Sequence, residues 1–551
     1  MDPKYCQRLL AAALSAAVAS AAQGGPARFE RFDYDGRAQE RAVAGPGDYR
    51  NPILAGYHPD PSITRVGDDY YLVNSSFAHF PGLPIFHSRD LVSWTQIGNA
   101  INRPSQLDFS GLGTSRGVFA PDISAHAGTF YIVNTCVDCR GNFLITATNP
   151  AGPWSDPVWL DFDGIDPSIF WEGDTAWIVN NGPPNEPPRY DGHRAIWVQQ
   201  FDWRAKKLVG PRTQIVNGGV DISTKPSWIE GPHLLKRDGF YYLIAAEGGT
   251  GDNHSEVVFR APSPRGPFVP YPGNPILSQR SLAATRPHPV TSAGHAKFVQ
   301  TQAGDWWATF LATRPYRGGQ YNIGRETFLL PVTWRDGWPH ILPAGTPIPF
   351  VAPRPKLPPQ PRSAEAARGD LRYTDSFDGA RLGLAWIGVR TPHAPVYRLE
   401  KGALILERGA PLGDLTGVPA FVGRRQQHHV ATITTLLDYV PDQDGDRAGL
   451  AAMQSDDSFL FFGVTRTAGA PRIALYTRDK TKTDTLVASA PLPVRGPVTL
   501  TIRADGGTMA FDYRIGQQRR TLKADLDASF LSTERAGGFV GTIIGPYAWN
   551  Q

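Results

Sequence analysis

Five polar residues recur in one setting along the chain. HPDPSI carries Asp60, FAPDIS carries Asp122, IDPSIF carries Asp166, IEGPHLL carries Glu230 and GHAKFV carries His295. Each residue opens a short apolar run, and each run leads through a turn into an aromatic-rich strand: DDYYLVNSS, GTFYIVNT, DTAWIVNN, GFYYLIAAE and GDWWATFLA. From polar residue to aromatic strand is about ten residues, the length of a hairpin. Carboxylates brought together repel, so at least one pKa should rise, and the set can divide acid from base work. A single aspartate in this position would read as a turn cap. Five in register read as a catalytic arrangement.

The elements that must hold such a set follow from the repeat. Hairpins repeated along the chain point to radial repetition, in which blades close around a channel and bring the first residue of each innermost strand to its mouth. The expected class is all-β, a five-bladed β-propeller. Its range is residues 51–350.

Composition agrees. The 551 residues suffice for two or three domains. The 57 glycines and 50 prolines favour turns and strands over helices. A net charge of +4 is small for this length, and no basic run is interleaved with aromatics, so nucleic acid is not an expected partner. At the N-terminus, Lys4 and Arg8 precede an apolar run from Leu9 to Val18, and Ala19-Ser20-Ala21 offers small residues for cleavage. The run is too short to span a bilayer and suits a secretory signal over residues 1–22, which implies a secreted or periplasmic protein with no membrane span. Residues 23–50 are polar and glycine-containing, and read as an extension that wraps the surface or stays mobile. Cys6 would leave with the signal. Cys136 and Cys139 form a lone CxxC that lacks the second pair of a zinc site, and reads as a local disulfide or as two free thiols.

Residues 351–370 are rich in proline and charge and read as a semi-rigid linker with a fixed path. Residues 371–551 return to short alternating strands, among them ALILE, VATITTLLDY, SFLFFGV and RIALYTR, without the polar-residue hairpin. That pattern predicts a β-sandwich. A fixed linker should dock it on the propeller, near the active face.

HPDPSI, IDPSIF and EGPHLLK, in that order and spacing, resemble glycoside hydrolase family 43. So do NSSF at Asn74, SRDLVSW, GHAKFVQTQAGDWW and GRETFL, and the tail resembles the C-terminal sandwich of the family's xylosidase/arabinofuranosidase branch. The resemblance implies an inverting hydrolase of xylosides and arabinosides on a five-bladed propeller. It implies Asp60 as general base, Glu230 as general acid and Asp166 as the residue that tunes and orients the acid. Arg325, Phe77 and Phe119 would bind the sugar. His295 would contact a structural calcium ion, or that ion's water, in the channel; no cofactor is implied for the chemistry. Ca²⁺ takes about six to eight oxygens, which one histidine does not supply. Asp122 falls outside the family's trio and reads as a hydrogen-bonded channel residue.

The function expected is exo-acting release of terminal arabinofuranose or xylose from hemicellulose-derived oligosaccharides or polysaccharides. The alternatives are an endo-arabinanase, which needs an open groove, and a non-catalytic carbohydrate-binding propeller, which has no use for a complete acid trio. Two departures from xylosidase relatives bear on the sugar. Phe119 stands where they carry tryptophan, and Ala78-His79 where they carry an acidic-aromatic pair; both positions are expected beside the sugar pocket.

Overall fold

Strands dominate because the chain is written in short runs of Tyr, Phe, Trp, Val and Ile broken by Gly, Pro and Asp. The computed structural model describes residues 25–407, 409–493 and 496–550. The expected signal segment therefore lies outside the described residues. Five antiparallel sheets form the first body, with innermost strands Ser62–Val66, Asp122–His126, Ile165–Glu172, Glu230–Arg237 and Thr291–Gln300. Each of these packs on the next, and the fifth returns to the first. The result is a five-bladed propeller around a channel. Apolar side chains fill the wedges between blades; Tyr242, Val258, Phe298, Phe310 and Phe328 are one such set, all buried.

The second body is a β-sandwich of an eight-stranded and a seven-stranded sheet. Its shared core includes Phe32, Ile433, Leu450, Phe462, Leu500 and Phe511, each fully buried.

The N-terminal extension differs from the expectation. Ala27–Arg37 is a strand, and it lies inside the eight-stranded sheet, paired with Val430–Asp438 on one side and with Leu371–Asp375 and Leu404–Leu406 on the other. Phe29 and Phe32 are fully buried there. The linker carries structure as well. Val351–Pro353 pairs with Asp48–Arg50, and Ser363 caps the one-turn helix Ala364–Arg368. The described chain thus runs from the sandwich into the propeller and back to the sandwich.

The two bodies meet through backbone. Gly388–Val389 pairs with His79–Phe80 as a two-stranded sheet across the boundary. Arg390 donates its N–H to Ala78 O at 2.8 Å and its Nη1 to Leu112 O at 3.2 Å. Gly324 and Gly541 lie face to face: a Cβ on Gly324 would come within 2.9 Å of the Gly541 Cα, and Gly324 has φ +75°. Only glycine tolerates both demands.

Because the first strand sits inside the sheet, Phe32→Ala should destabilise the sandwich by about 3–5 kcal/mol, the usual cost of emptying a buried phenylalanine site. A lowered denaturation midpoint checks this. An unchanged midpoint would mean the strand is dispensable.

Candidate active site

Three of the four polar residues at the channel mouth are positioned by breaks in the strand ladder. In the third blade Ile165 pairs with Asn181 and Ser168 with Val179, so Asp166 and Pro167 together face one residue. In the fourth, Glu230 pairs with Ala246 and His233 with Ile244, which leaves Gly231 and Pro232 opposite one residue. In the fifth, Gly294 pairs with Leu311 and Lys297 with Thr309, and His295 and Ala296 occupy the bulge. Proline cannot donate to the ladder, so Asp-Pro and Gly-Pro are at home in such bulges. Asp166 (φ 53°) and His295 (φ 56°) take left-handed backbone, as does Asp60 (φ 51°), which with Pro61 directly precedes the first blade's inner strand. Strain of this kind turns a side chain out of the pleat and into the channel.

Asp122 shows the contrast. Its strand pairs regularly from Asp122↔Val133 onward, without a bulge. Its carboxylate accepts from Ser62 Oγ at 3.0 Å, from the Ile169 N–H at 3.0 Å and from Lys297 Nζ. Asp122 is a buried hydrogen-bonded tie between blades and does not line the pocket. The expected five polar residues are four at the pocket.

Those four, Asp60, Asp166, Glu230 and His295, line a cavity of about 410 Å³ with Arg325, Phe77 and Phe119. The residues that the family resemblance marks for catalysis and sugar binding all line this cavity. Asp60 accepts from Arg325 Nη1 at 3.0 Å and from Ser75 Oγ. Arg325 Nη1 also donates to Thr250 Oγ1 at 3.2 Å. Asp166 Oδ2 accepts from Asn181 Nδ2 and from the N–H of Gly231, both at 3.2 Å. Because Gly231 follows Glu230, Asp166 fixes the backbone that carries the acid.

The carboxyl of Glu230 is reachable from the cavity and otherwise enclosed by protein. Burial, then the neighbouring Asp166 and Asp60 charges, push it from an ordinary 4.5 up to about 8. Burial raises Asp166 as well, opposed by His295 and by the Gly231 N–H. One carboxylate paired with a guanidinium and one carboxyl held protonated near neutrality face the same space.

Sequence reasoning missed three residues. Phe539 comes from the sandwich, stacked on Phe77 at 5.8 Å and edge-on to Phe119 at 5.7 Å. Arg325 Nη2 donates to Phe539 O at 3.3 Å, and Ser115 Oγ accepts the Phe539 N–H at 2.9 Å. Arg194 and the exposed Trp228 form a cation–π pair at 4.7 Å on another side of the cavity. Trp228 sits two residues before Glu230, a signal that was available in sequence.

One expectation needs correction. His79 does not face the pocket. It is 2% exposed, lies edge-on to Tyr57 at 5.5 Å, and Tyr57 in turn stacks on Phe77 at 6.3 Å. Burial lowers its pKa to about 3, so it is neutral packing behind the wall. Among the described residues no metal site is seen at His295. His295 Nδ1 lies 3.9 Å from Asp60 Oδ1, and among the described residues no group of three or more His, Cys, Asp or Glu side chains is placed to hold a metal. The oxygens of Ser62, Asp122 and Ile123 are taken by the ammonium of Lys297, a cation supplied by the chain itself. Cys136 and Cys139 are joined as a disulfide, next to Val137 on the cavity wall.

A sequence profile of glycosyl hydrolases family 43 matches residues 49–339, and one of the beta xylosidase C-terminal concanavalin A-like domain matches residues 374–551. The chain belongs to glycosyl hydrolase family 43. It is 38% identical over 506 residues to a xylosidase/arabinosidase of Butyrivibrio fibrisolvens, covering 90% of this chain and 95% of that one. It is 38% identical over 510 residues to a non-reducing end alpha-L-arabinofuranosidase of Bacteroides ovatus, covering 91% of each. A family 43 subfamily 12 crystal structure from a capybara gut metagenome superposes with TM-score 0.87 at 36% identity, covering 95% of this chain and all of that one. The family 43 chain is a glycoside hydrolase, and the acids at its channel mouth are the candidates for its chemistry.

The raised Glu230 pKa has a consequence for stability. Between its ordinary 4.5 and about 8 the folded protein holds a proton that the unfolded chain has released. Stability contributed by that proton is full below about pH 4.5 and is lost as pH rises to about 8. Glu230→Gln removes the titration, so the variant should melt higher than the parent, with a gap that widens from pH 5 to 8 and then stays constant. A gap independent of pH would contradict the raised pKa.

Proposed function

We propose that the protein is an inverting, exo-acting glycosidase that releases terminal arabinofuranose and xylose from hemicellulose-derived glycans. The observation that carries the mechanism is the difference between two carboxyl environments, Asp60 against Arg325 and Glu230 pushed up to about 8. In this reading Asp60 is the general base. It takes a proton from a water as that water attacks the anomeric carbon. Glu230 gives its proton to the departing glycosidic oxygen. The step leaves Asp60 protonated and Glu230 ionised, and solvent exchange restores both. An inverting pair stands about 6.5–9.5 Å apart to leave room for the water. Asp166 neither attacks nor protonates. Its charge keeps the proton on Glu230 and its hydrogen bond to Gly231 sets the reach of the acid.

Exo action is supported by the closed end of the cavity. Phe77, Phe119 and Phe539 meet as a three-ring cup, and the third ring is brought by a separate domain. A chain threading through, as an endo-arabinanase requires, would have to displace that ring. The reading includes export, for which residues 1–22 are the support, and a glycan as the binding partner.

Two variants separate the roles. Asp60→Asn and Glu230→Gln should each lower kcat on the order of 10²–10⁴-fold. With an aryl glycoside whose leaving group departs without protonation, Glu230→Gln should recover and Asp60→Asn should not. Proton NMR of the first-formed sugar should show the inverted anomer. Equal recovery of both variants, or retention, would overturn the assignment.

The sugar preference rests on Phe119. A phenyl ring there leaves a shorter wall than an indole and room for a five-membered ring. Both aryl arabinofuranoside and aryl xyloside should be hydrolysed, with kcat/KM for the arabinofuranoside at least comparable. Phe119→Trp should shift the ratio toward xyloside by about tenfold, within the range of a single pocket contact. A ratio that ignores the change would remove Phe119 from the account of specificity.

A further inference from the structure

The segment GRRQQHH at residues 423–429 plays no part in the chemistry above. It runs along the domain boundary and is tightly held. The Gln426 side chain donates to His428 O, His428 Nε2 donates to Gly369 O at 2.8 Å, and Tyr34 Oη receives the N–H groups of Gln427 and His428. This places Arg424 and Arg425 on the wall of a cavity of about 570 Å³ between the propeller, the linker and the sandwich.

The charges around this cavity do not balance. Arg50 and Arg314 share Glu40, and Arg314 also pairs with Glu326. Asp370 pairs with Arg368 and accepts the Ala38 N–H. Three arginines on the wall remain without an ion pair among the described residues. Arg362 donates to Ala44 O at 3.4 Å, and Asp90 and Asp48 act on it at range. Arg424 stacks on Tyr373 at 3.7 Å; Asp375 acts on it at range, but its oxygens are taken by Tyr373, Phe377 and Trp386. Arg425 is 6% exposed, its Nε and Nη2 find no acceptor, and its one partner is the Tyr57 ring, 5.3 Å away. Burying a guanidinium without a counter-charge is costly, and buried charges are as a rule paired. The histidines on the same wall do not alter the sign. His58 and His428 are both lowered by burial and stay neutral.

We propose that this interdomain cavity is a second binding site, distinct from the active site, for a small oxyanion, a carboxylate or a phosphate group, seated on Arg425 and flanked by Arg424. Guanidinium groups recognise such oxyanions through charge-assisted hydrogen bonds. Trp94, Gln96 and Gln427 on the wall could receive a sugar ring that carries the carboxylate. The bound group would bind the folded chain and supply a counter-charge at the domain boundary, so occupancy should raise the melting temperature.

Calorimetric titration of the full chain at fixed ionic strength tests this, with inorganic phosphate, D-glucuronate and, as the neutral control, D-glucose. The expected result is saturable one-to-one binding of at least one anion, a matching rise in melting temperature, no binding of glucose to this site, and no displacement by saturating xylose. Binding of glucuronate alone identifies an acidic sugar, of phosphate alone a phosphorylated ligand, and of both a general oxyanion seat; each supports the site. Arg425→Met should weaken binding about tenfold or more. If that variant does not fold, Arg424→Gln at the cavity wall should weaken it several-fold. Absence of saturable binding by either anion, or affinity unchanged in every folded variant, would overturn the proposal.

Discussion

A missing backbone donor shapes the channel mouth. Pro61, Pro167 and Pro232 follow a site acid by one or two residues and cannot donate to the neighbouring strand. The ladder must open there, and in the third and fourth blades it opens as a bulge. The bulge aims the acid into the channel, where burial and like charge raise the Glu230 pKa to about 8. In this fold the titration behaviour of the site is a consequence of strand register. Asp122 demonstrates the dependence, because the same residue type at the same blade position, without the bulge, becomes a buried tie to Lys297.

Arg325 extends that control across the domain boundary. One guanidinium pairs with Asp60, reaches Thr250 of the fourth blade and holds the carbonyl of Phe539 from the sandwich. Its neighbour Gly324 lets the sandwich loop approach to backbone contact at Gly541. The charge that pairs with Asp60 and the aromatic wall of the cavity therefore hang on one side chain. A sandwich that shifted would move Phe539 and the Arg325 geometry together, which explains why the second domain is anchored by strand pairing at residues 79–80 and 388–389 instead of by side chains alone.

The sequence was most readable where chemistry and backbone coincide. A polar residue heading each hairpin, together with the family motifs around three of them, made Asp60, Asp166 and Glu230 legible, and in the third and fourth blades the proline that follows lies in a bulge. It was least readable where contacts are long-range. Phe539 stands 462 positions after Phe77, and nothing local marks it (539 − 77). The first strand was hidden for a different reason. Phe29 is buried, and so are Phe32 and Tyr34, but the register slips between Phe29 and Arg31. That slip breaks the alternation by one residue and makes a strand look like polar coil. His79 misled because its position in the chain is next to the pocket while its side chain turns behind Tyr57.

Keeping Glu230 protonated costs the fold stability at neutral pH, and the surroundings show where that cost is absorbed. Asp166 spends its hydrogen bonds on Asn181 and on the Gly231 N–H, which ties two inner strands together at the point of greatest like-charge repulsion. Lys297 supplies a positive charge to the channel through Asp122, and Arg325 supplies another through Asp60. Both cations pair with carboxylates other than Glu230. A direct partner would lower the pKa of the acid and release its proton. The arrangement places two cations in the channel while leaving the Glu230 carboxyl without an ion pair of its own.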